Sequence, residues 1–422
     1  MKNKVPKLRF PEFSGEWEEK SFGEIYSFRS TNSLSRDKLN YEQGKVKNIH
    51  YGDIHTKFKT LFDITNEKTP FINDEVSLEK IPEDNYCKNR DLIIADASED
   101  YSDIGKSIEI INTNNQKILA GLHTFLARPD LYEIALGFGG YIMKSPTMHL
   151  QIKTIAQGTK VLSLSSKRVA ELKFFIPCLP EQEKIANFLF SVDIKIEKLE
   201  KKKELLEKYK KGMMQKLFSQ KLRFKDENGN YYPEWEEKRI GDLTKFHQQG
   251  YYTKDSYNLN NPYYLLSGAN IKKHKIDLAN CPKINASAKD FETFKVKKGD
   301  ILLIRSGNVG DYAIAYEEKN IIFGSYLIKF NLNSQIIINE FFGYFYQSES
   351  KERQLKMIIQ SSANVNINAE NIKSLKITLP TLLEQEKIAN FLSSIDRKIE
   401  LIERELEKNK EFKKGLLQQM FV

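Results

Sequence analysis

The sequence predicts an α/β (α+β) protein in which two mixed α/β domains are joined by a pair of long helices. The decisive observation is a block of nine residues, 181–189, that returns letter for letter at 384–392. Short apolar runs of strand length occupy the segments before each block. At 422 residues and 49.1 kDa the chain is also long for one ordinary domain. A duplicated, two-domain architecture explains both the length and the repeat.

The composition favours folded domains and argues against a membrane span or a disulfide framework. Hydrophobic residues make up 40% of the chain and aromatic residues 11%, which is enough for buried cores. The net charge of +9 permits a polyanionic partner. Cys87, Cys178 and Cys281 form no CxxC pair, and no apolar run reaches the length of a membrane span. We therefore expect a soluble protein in a reducing cytoplasm.

The repeated block continues as a long helix. Residues 181–218 align without a gap to residues 384–421, and 21 of these 38 positions are identical. Apolar side chains recur with a 4-3-4-3 spacing, which predicts two helices of roughly 45–57 Å that pair antiparallel as a coiled coil. These seam positions are Ile185, Leu189, Val192, Ile196 and Leu199 in the first copy, and Ile388, Leu392, Ile395, Ile399 and Ile402 in the second. Pro180 marks the first helix start, whereas the second copy has Leu383 at that place.

A second repeat precedes the domains and makes the duplication circular. Residues 7–10 return at 221–224, and the only two tryptophans, Trp17 and Trp235, occupy equivalent places. The helix blocks repeat at an offset of 203 residues and the tryptophans at 218, so the segment between shared blocks is 15 residues shorter in the second copy. The segment that follows the first helix is found, for the second helix, at the start of the chain. We therefore expect the two chain ends to lie close together and the two halves to be related by a pseudo-twofold axis.

These patterns divide the chain into four parts. The first domain is predicted at residues 1–180, the central helix at 181–219, the second domain at 220–383 and the C-terminal helix at 384–422. Strand-like runs occur at 91–94, 108–111 and 173–176, and in the second copy at 299–304, 326–330 and 375–379. A further helix is predicted near residues 340–359.

Catalytic motifs are incomplete. The run Gly105-Lys106-Ser107 resembles the end of a phosphate-binding loop, but Asp100 stands where that loop needs a glycine. The run at 261–264 lacks the second proline of an amino-methyltransferase motif, and the glycines of 137–140 form no proper cofactor loop. The acidic cluster at 236–238 is interpreted as solvated charge, and the six histidines lack the spacing of a metal helix. We therefore predict a protein that catalyses nothing alone and holds neither a catalytic residue nor a metal.

The variable middles carry polar, basic and aromatic residues suited to binding DNA. Lysine and arginine would hold phosphates, and arginine, asparagine and serine could read base edges. The alternative is that these are ordinary surface and turn residues. The candidates are Lys57, Lys59, Ser98, Lys106, Tyr251, Tyr252, Lys272, Lys273, Arg305, Ser306 and Asn308.

Three segments together resemble the specificity subunit of type I restriction–modification enzymes. They are Lys-Leu-Arg-Phe-Pro-Glu-Phe-Ser-Gly-Glu-Trp at 7–17, Ile-Pro-Cys-Leu-Pro-Glu-Gln-Glu-Lys-Ile-Ala at 176–186, and the return of this second pattern at 379–380 and 384–389. The resemblance covers essentially the whole chain and implies two target-recognition domains, each followed by a conserved helix.

The resemblance implies a non-catalytic subunit that recognises DNA. Each domain would read one half of a bipartite, asymmetric double-stranded target, and the helical pair would set the gap between the halves. Two modification subunits, which bind S-adenosylmethionine and methylate adenine, would dock on the helices and conserved blocks. Two motor–nuclease subunits, which use ATP and Mg, would complete the restriction form. The chain itself is then expected to bind no cofactor.

Two other interpretations remain open from the residues. One is a sequence-specific DNA-binding regulator that acts alone, and it differs from the first in having no methyltransferase partner. The other is a scaffold without a nucleic-acid role. Salt-sensitive binding to duplex DNA would exclude the scaffold.

Overall fold

The computed structural model describes residues 4–253, 258, 260–306, 310–360 and 367–422. It separates into two compact units, which are Met1–Lys201 with Arg404–Val422, and Lys202–Glu403. Each unit contains one mixed α/β domain and a segment of each long helix. The predicted fold class, with two α/β domains and two long helices, is therefore confirmed.

The first domain consists of short strands and helices that lead into the central helix. Its strands are β1 (Glu18–Ser21), β2 (Tyr26–Arg29), β3 (Leu39–Asn40), β4 (Lys47–Ile49), β5 (Leu61–Asp63), β6 (Phe71–Ile72), β7 (Leu92–Ala95), β8 (Ala97–Ser98), β9 (Ser107–Asn112), β10 (Ile118–Ala120), β11 (Thr124–Pro129), β12 (Leu162–Ser163) and β13 (Lys173–Ile176). Its helices are α1 (Phe22–Ile25), α2 (Tyr51–Thr56), α3 (Phe138–Ile142), α4 (Pro146–Ile155), α5 (Ser166–Ala170) and α6 (Leu179–Phe218), the central helix. Short 3₁₀ turns occupy Arg36–Lys38 and Glu83–Asn85.

The strands of the first domain form two main sheets. One has the order β2-β11-β7-β9-β5 and the other β10-β4-β6-β3. All four residues of β7 are buried, as a continuous apolar run at the centre of a sheet predicts. Strands β4 and β10 run parallel, so both of them end at the same edge of their sheet.

The second domain repeats this plan with fewer strands among the described residues. Its strands are β14 (Glu236–Arg239), β15 (Thr244–Gln249), β16 (Tyr263–Leu266), β17 (Ile271–Lys272), β18 (Lys275–Ile276), β19 (Lys283–Ile284), β20 (Ile301–Ile304), β21 (Tyr312–Ile314), β22 (Ile321–Phe323), β23 (Leu327–Leu332) and β24 (Lys376–Leu379). Its helices are α7 (Ile240–Leu243), α8 (Ala288–Phe294), α9 (Asn339–Tyr346), α10 (Glu349–Gln360), α11 (Ala369–Lys373) and α12 (Leu382–Gln419), the C-terminal helix, with a 3₁₀ turn at Gly268–Asn270. The sheets have the orders β15-β23-β20-β21 and β19-β16-β22, and β16 runs parallel to β22.

One predicted helix is divided in the structure. The stretch near residues 340–359 forms two helices, α9 and α10, rather than one. The break falls at Ser348, whose hydroxyl accepts a hydrogen bond from the backbone N–H of Lys351. Serine commonly caps a helix start in this way, because its side chain satisfies a backbone donor that the helix leaves free.

The two long helices run antiparallel within each unit. In the first unit Asp193 pairs with Lys413 at 2.5 Å, and in the second Lys210 pairs with Asp396 at 2.7 Å and Lys203 with Glu403 at 3.1 Å. Lys203 and Lys210 interrupt the apolar seam, and these contacts explain why a lysine is accommodated there. The helices begin at Leu179 and Leu382, two residues before the predicted 181 and 384.

The ten predicted seam residues are all buried, but mostly against their own domain. Ile185, Leu189, Val192 and Ile196 belong to the hydrophobic core of the first domain, which Leu416 of the C-terminal helix and Met420, directly after that helix, also join. Ile388, Leu392, Ile395 and Ile399 join the core of the second domain in the same way. The first half of each long helix is therefore a core element of the domain that precedes it. Leu199 and Ile402 are buried as well.

The Glu-Gln pair that opens each repeated block fastens the helix to its domain. Glu181 accepts hydrogen bonds from the guanidinium of Arg9 at 2.8 and 2.7 Å, and Glu384 accepts them from Arg223 at 3.3 and 3.0 Å. The buried amide of Gln182 accepts from the Ala135 N–H and donates to the carbonyls of residues 133 and 177. Gln385 makes the equivalent three bonds. The motif thus ties together the helix, the domain loop and the arginine of the preceding block.

The chain ends meet as the circular repeat predicts. The Leu8 N–H donates to the Gln419 carbonyl at 2.8 Å within the first unit. The equivalent bond in the second unit runs from Leu222 to Lys216 at 3.1 Å, where the chain is continuous. The two units therefore share this local structure. In the second unit a continuous turn of the chain connects its two parts, whereas in the first unit the two chain ends are connected only by contact.

Candidate nucleic-acid interface

In each domain, three chain segments that follow buried strands meet at one edge. In the first domain the Gly121 N–H donates to the Ile49 carbonyl at 2.8 Å, and the Asp96 N–H donates to the His123 carbonyl at 3.1 Å. These bonds join the segments after β4, β7 and β10. We call the backbone of residues 49–50, 95–97 and 121–123 the strand-end frame of the first domain.

The second domain builds the same frame. The Gly324 N–H donates to the Leu266 carbonyl at 2.8 Å, and the Arg305 N–H donates to the Tyr326 carbonyl at 3.0 Å. The strand-end frame of the second domain is therefore formed by residues 266–267, 304–305 and 324–326. The backbone bonds of the two frames are equivalent. What distinguishes one frame from the other is therefore the side chains that each presents.

Histidines and a tyrosine cover the frame of the first domain. The Tyr51 ring lies between His50, His123 and His55, with ring centroids 4.6, 5.3 and 5.9 Å apart. Burial lowers the pKa of His50 to about 4, with a further contribution from the charge of Arg36, so this ring is neutral at pH 7. Its Nδ1 accepts a hydrogen bond from the Gly52 N–H.

Asp96 carries the negative charge of this frame. Its side chain keeps 23% of its surface exposed, and its Oδ1 lies 3.3 Å from His123 Nδ1. Apart from this ion-pair contact, whose geometry is poor for a hydrogen bond, Oδ1 is buried and accepts no hydrogen bond among the described residues. Burial raises the pKa of Asp96 and the neighbouring His123 opposes the rise.

Arg305 takes the place of Asp96 in the second domain. Its Nε is likewise buried without a hydrogen-bond partner within the described part of the chain. Nearby, the Ser267 hydroxyl donates to the side-chain Oδ1 of Asn270 at 2.8 Å, and the Tyr326 side chain is exposed. The second frame therefore presents a cation and small polar groups where the first presents a carboxylate and imidazoles.

A pair of fixed cations lies beside the first frame. Arg36 binds the fully buried Asp53 with two hydrogen bonds, of 2.7 and 2.9 Å, and Lys57 pairs with the same carboxylate at 2.8 Å. Burial alone would raise the pKa of Asp53, but these two cations hold it below its usual range. Both cations remain about half exposed, so they can contact a phosphate without further ordering.

The other predicted residues of the first domain make contacts within the unit. Lys59 pairs with Glu197 of the central helix at 2.8 Å. Lys106 donates to the His55 carbonyl at 2.6 Å, and Ser98 is buried in a turn that it closes with Asp100. Lys57, Ser98 and Lys106 thus lie around α2, whereas Lys59 lies against the central helix.

The predicted residues of the second domain fall into two groups. Arg305 lies on the strand-end frame, and Ser306 follows it in a bend. Lys272 pairs with Asp277 at 2.6 Å, and Lys273 pairs with Glu403 of the C-terminal helix at 2.5 Å. Asn308 lies outside the described residues.

Two tyrosines predicted to bind DNA lie next to each other in the sequence but differ in exposure. The ring of Tyr251 packs against Phe294 with centroids 5.2 Å apart, whereas the side chain of Tyr252 is largely exposed. Of the two, Tyr252 is available to contact a base or a sugar from the surface.

His123 and Tyr326 were missed by the sequence analysis, and Asp96, which begins a polar loop leaving a strand as Arg305 does, was not included among the candidate contacts. Each is an isolated residue in a loop, and the frame brings together segments that lie far apart in the chain. A usable signal was present in the two buried strands β7 and β20, since each is followed at once by a charged residue. Aligning those strands would have placed Asp96 opposite Arg305.

Backbone N–H groups of the glycine run at 137–140 are already bound by a side chain of the protein. The buried Glu109 carboxylate accepts from the N–H groups of Gly137 at 2.6 Å and Gly140 at 2.7 Å. A Cβ at Gly139 would lie 2.3 Å from the Tyr26 hydroxyl, so glycine is required there by packing.

Among the described residues, no group of three or more His, Cys, Asp or Glu side chains is arranged to hold a metal ion. The helices of the described ranges include none with an apolar stretch that could span a lipid bilayer.

Comparison with known proteins identifies the family. The family model of the type I restriction modification DNA specificity domain matches residues 14–208 and 232–410. The chain belongs to this family. The two matches contain both strand-end frames.

Individual relatives agree with this assignment. The chain is 27% identical over 426 residues to the candidate type I restriction enzyme MjaX specificity subunit of Methanocaldococcus jannaschii, and the match covers 97% of this chain and 94% of the relative. It is 28% identical over 277 residues to the MjaVIII specificity subunit of the same organism, covering 63% and 65% of the two chains. The crystal structure of a type I restriction-modification S subunit from M. genitalium has the same fold, with a TM-score of 0.61, 17% identity and 99% of both chains covered.

Proposed function

We propose that this chain is the DNA-recognition subunit of a type I restriction–modification complex, in which each domain reads one half of a bipartite, asymmetric target. The observation that carries this proposal is the pair of strand-end frames. Their backbone bonds are equivalent, but one frame presents Asp96 and histidines and the other presents Arg305 and small polar groups. Equivalent surfaces with different side chains suit two half-sites of different sequence.

Contacts to phosphates supply the part of the affinity that does not depend on sequence. The net charge of +9 favours approach to duplex DNA. Arg36 and Lys57 are held in place by Asp53 beside the first frame and remain half exposed. We expect binding to weaken as salt rises, since each neutralised phosphate releases counterions.

The reactions of the complex belong to its other subunits. Two modification subunits bind S-adenosylmethionine and methylate adenine, and two motor–nuclease subunits use ATP and Mg in the restriction form. The chain described here supplies sequence recognition and is not itself an enzyme. The assembled complex acts on DNA in the cytoplasm.

The long helices supply the surface for the modification subunits and fix the gap between the half-sites. Apolar side chains remain exposed on both helices, where a partner would cover them. They include Leu205 and Tyr209 on the central helix, and Leu401 and Phe412 on the C-terminal helix.

Mapping methylated adenines tests the proposal. The chain and its modification subunit are expressed together in a host without other methyltransferases, and the genome is sequenced for N6-methyladenine. We expect one bipartite, asymmetric motif with a fixed gap. Replacing residues 20–178 by the matching segment of another family member should change one half-site and leave the other half-site and the gap unchanged.

Three outcomes would overturn the proposal. Methylation that does not depend on the chain, or a domain exchange that alters both half-sites, contradicts recognition by separate domains. A chain that binds one duplex sequence but does not co-purify with the modification subunit is a regulator that acts alone.

A further inference from the structure

We propose that Asp96 and Arg305 are specificity-determining residues, one for each half-site. Asp96 accepts a hydrogen bond from the N4 amino group of a cytosine, and Arg305 donates two hydrogen bonds to O6 and N7 of a guanine. This inference rests on the proposed function, since it names the base contacts of the same two domains.

The backbone of the two residues is held in the same way. The N–H of Asp96 donates to the His123 carbonyl and that of Arg305 to the Tyr326 carbonyl, at 3.1 and 3.0 Å. The carbonyl of Asp96 accepts from the Leu164 N–H at 2.8 Å, and that of Arg305 accepts from the Ile367 N–H at 3.1 Å. Both backbone groups of each residue are therefore occupied.

Each residue also follows a buried strand at the centre of a sheet. Asp96 comes directly after β7 and Arg305 directly after β20, and these strands pair equivalently with β11 and β23. All eight residues of the two strands are buried, so the strands cannot shift without disrupting a core. The position is thus rigid in both domains, and what differs between them is the side chain.

Both side chains retain hydrogen-bonding capacity that the domain does not use. The Nε of Arg305 is buried without a hydrogen-bond partner among the described residues, and the Oδ1 of Asp96 is buried with only the His123 ring beside it, at 3.3 Å and in poor hydrogen-bond geometry. Buried polar atoms nearly always have well-formed hydrogen bonds, so an incompletely bonded atom at each of two equivalent positions is unusual. Both side chains are also partly exposed, which leaves the rest of each polar group accessible to a ligand.

The chemistry of the two groups identifies the bases. A carboxylate can only accept hydrogen bonds, and of the two major-groove amino donors, cytosine N4 and adenine N6, its standard partner is cytosine N4. A guanidinium can only donate, and O6 and N7 of guanine form an acceptor pair that matches its geometry. His123, which is about half exposed beside Asp96, opposes the rise in the pKa of Asp96 that burial causes.

Variants of the two residues test the inference in the complete complex with the modification subunit. For Asp96→Asn we expect one position of the first half-site to lose its preference for cytosine by about 10- to 100-fold, while the second half-site is unchanged. For Arg305→Gln we expect a loss of similar size in the preference for guanine at one position of the second half-site, with the first half-site unchanged. Each variant is the matched control of the other. Selectivity is measured by binding to duplexes with each base substituted and by mapping methylated adenines.

The result separates this inference from the proposed function. If the wild-type complex has no bipartite target, the proposed function fails. If the wild-type target is bipartite but both variants keep every base preference, or lose affinity equally for all sequences, these residues do not read bases. A half-site made only of A·T pairs would also overturn the assignment. Co-purification with the modification subunit and an unchanged unfolding midpoint confirm that each variant is folded.

Discussion

At the residue scale, the buried pair of Arg9 and Glu181 is expected to contribute strongly to stability. The Glu181 side chain is 1% exposed, and its carboxylate is bound by the Arg9 guanidinium. For Arg9→Ala we expect the free energy of unfolding of the first unit to fall by about 3–5 kcal/mol, because an unpaired carboxylate remains buried. Trp17 lies in the core of this unit, so its fluorescence in a Trp235→Phe background monitors urea unfolding of this unit alone.

A surface ion pair of the same unit provides the control. Lys117 and Glu83 pair at 3.0 Å with both side chains more than half exposed. For Lys117→Ala we expect almost no change in the free energy of unfolding, since exposed ion pairs are screened by solvent. Equal effects of the two variants would show that the Arg9 contact does not depend on burial.

The buried Glu109 makes the stability of the first unit depend on pH. Burial raises the pKa of Glu109 to about 7, although the N–H groups of Gly137 and Gly140 and the charge of Arg90 oppose the rise. Between the ordinary pKa of about 4.5 and pH 7, the folded unit binds a proton that the unfolded chain has lost. The contribution of this group to stability is therefore complete below pH 4.5 and is lost as the pH rises to 7, by at most roughly 3 kcal/mol.

Unfolding between pH 4.5 and 8 tests this dependence. In Glu109→Gln the side chain cannot ionise, so we expect a smaller decrease in the unfolding midpoint of the first unit across this range. The exposed Glu79 provides a matched control, and Glu79→Gln should behave as the wild type. A Glu109→Gln profile parallel to the wild-type profile would contradict an ionisation inside the core.

At the element scale, the long helices have two roles. Their seam residues fill the domain cores, and ion pairs such as Asp193–Lys413 and Lys210–Asp396 fix the antiparallel register. Tyr141 donates to Asp193 and Tyr344 donates to Asp396, both at 2.8 Å, so the register is also connected to each domain. A change in the length of one helix alone must therefore break contacts in both units.

Shortening both helices tests whether they fix the gap. Deleting residues 199–205 and 401–407 together removes one heptad from each helix and keeps the pairs named above in register. At 1.5 Å per residue this removes about 10 Å, or about three base pairs of B-form DNA. We expect the methylated motif to keep both half-sites and to have a shorter gap.

A deletion in one helix serves as the control. Deleting residues 199–205 alone should destabilise the protein, because Lys210 and Asp396 no longer meet. An unchanged gap after the double deletion would refute the idea that the helices act as a spacer.

At the scale of the whole molecule, the contact between the chain ends predicts that the protein tolerates circular permutation. The Leu8–Gln419 bond holds the ends together, and residues 219–221 make the equivalent connection in the second unit. A permutant in which a short linker joins residue 422 to residue 7, with new ends at 220 and 221, should fold and direct methylation of the same motif.

A second permutant provides the comparison. New ends placed between residues 94 and 95 cut the buried strand β7, and this variant should not accumulate as a folded protein. Co-purification with the modification subunit and the methylated motif are the measurements. If the first permutant fails to fold and the second folds, the contact between Leu8 and Gln419 is not equivalent to the chain connection at residues 219–221.

The sequence predicts the architecture well. The spacing of apolar residues is a local pattern, and the repeated blocks can be recognised directly by comparing the two halves of the sequence. The helical seam is repeated with conserved spacing, and the circular repeat predicts the meeting of the chain ends. The break at Ser348 was missed because residues on both sides of it favour a helix, and a single hydroxyl cap decides the boundary.

The site is predicted less completely, because it depends on contacts between distant segments. Arg305 could be found, since a charged residue directly follows an apolar strand. The partners of Lys59 and Lys273 are Glu197 and Glu403, and both of these glutamates lie more than 100 residues from their lysine. No local pattern indicates such pairings, so exposed lysines that bind DNA and those that pair with a helix have the same appearance in the sequence.

The bond from Leu8 to Gln419 has a consequence for how such a protein could have arisen. Each unit is completed by a helix segment from the other half of the chain. The covalent connection at 219–221 in the second unit corresponds, in the first unit, to the non-covalent contact between Leu8 and Gln419. A chain of half this length could therefore complete itself by pairing with an identical copy. Such a homodimer would carry two identical recognition surfaces and would select a palindrome. Gene fusion would free the two surfaces to diverge, and an asymmetric target would follow.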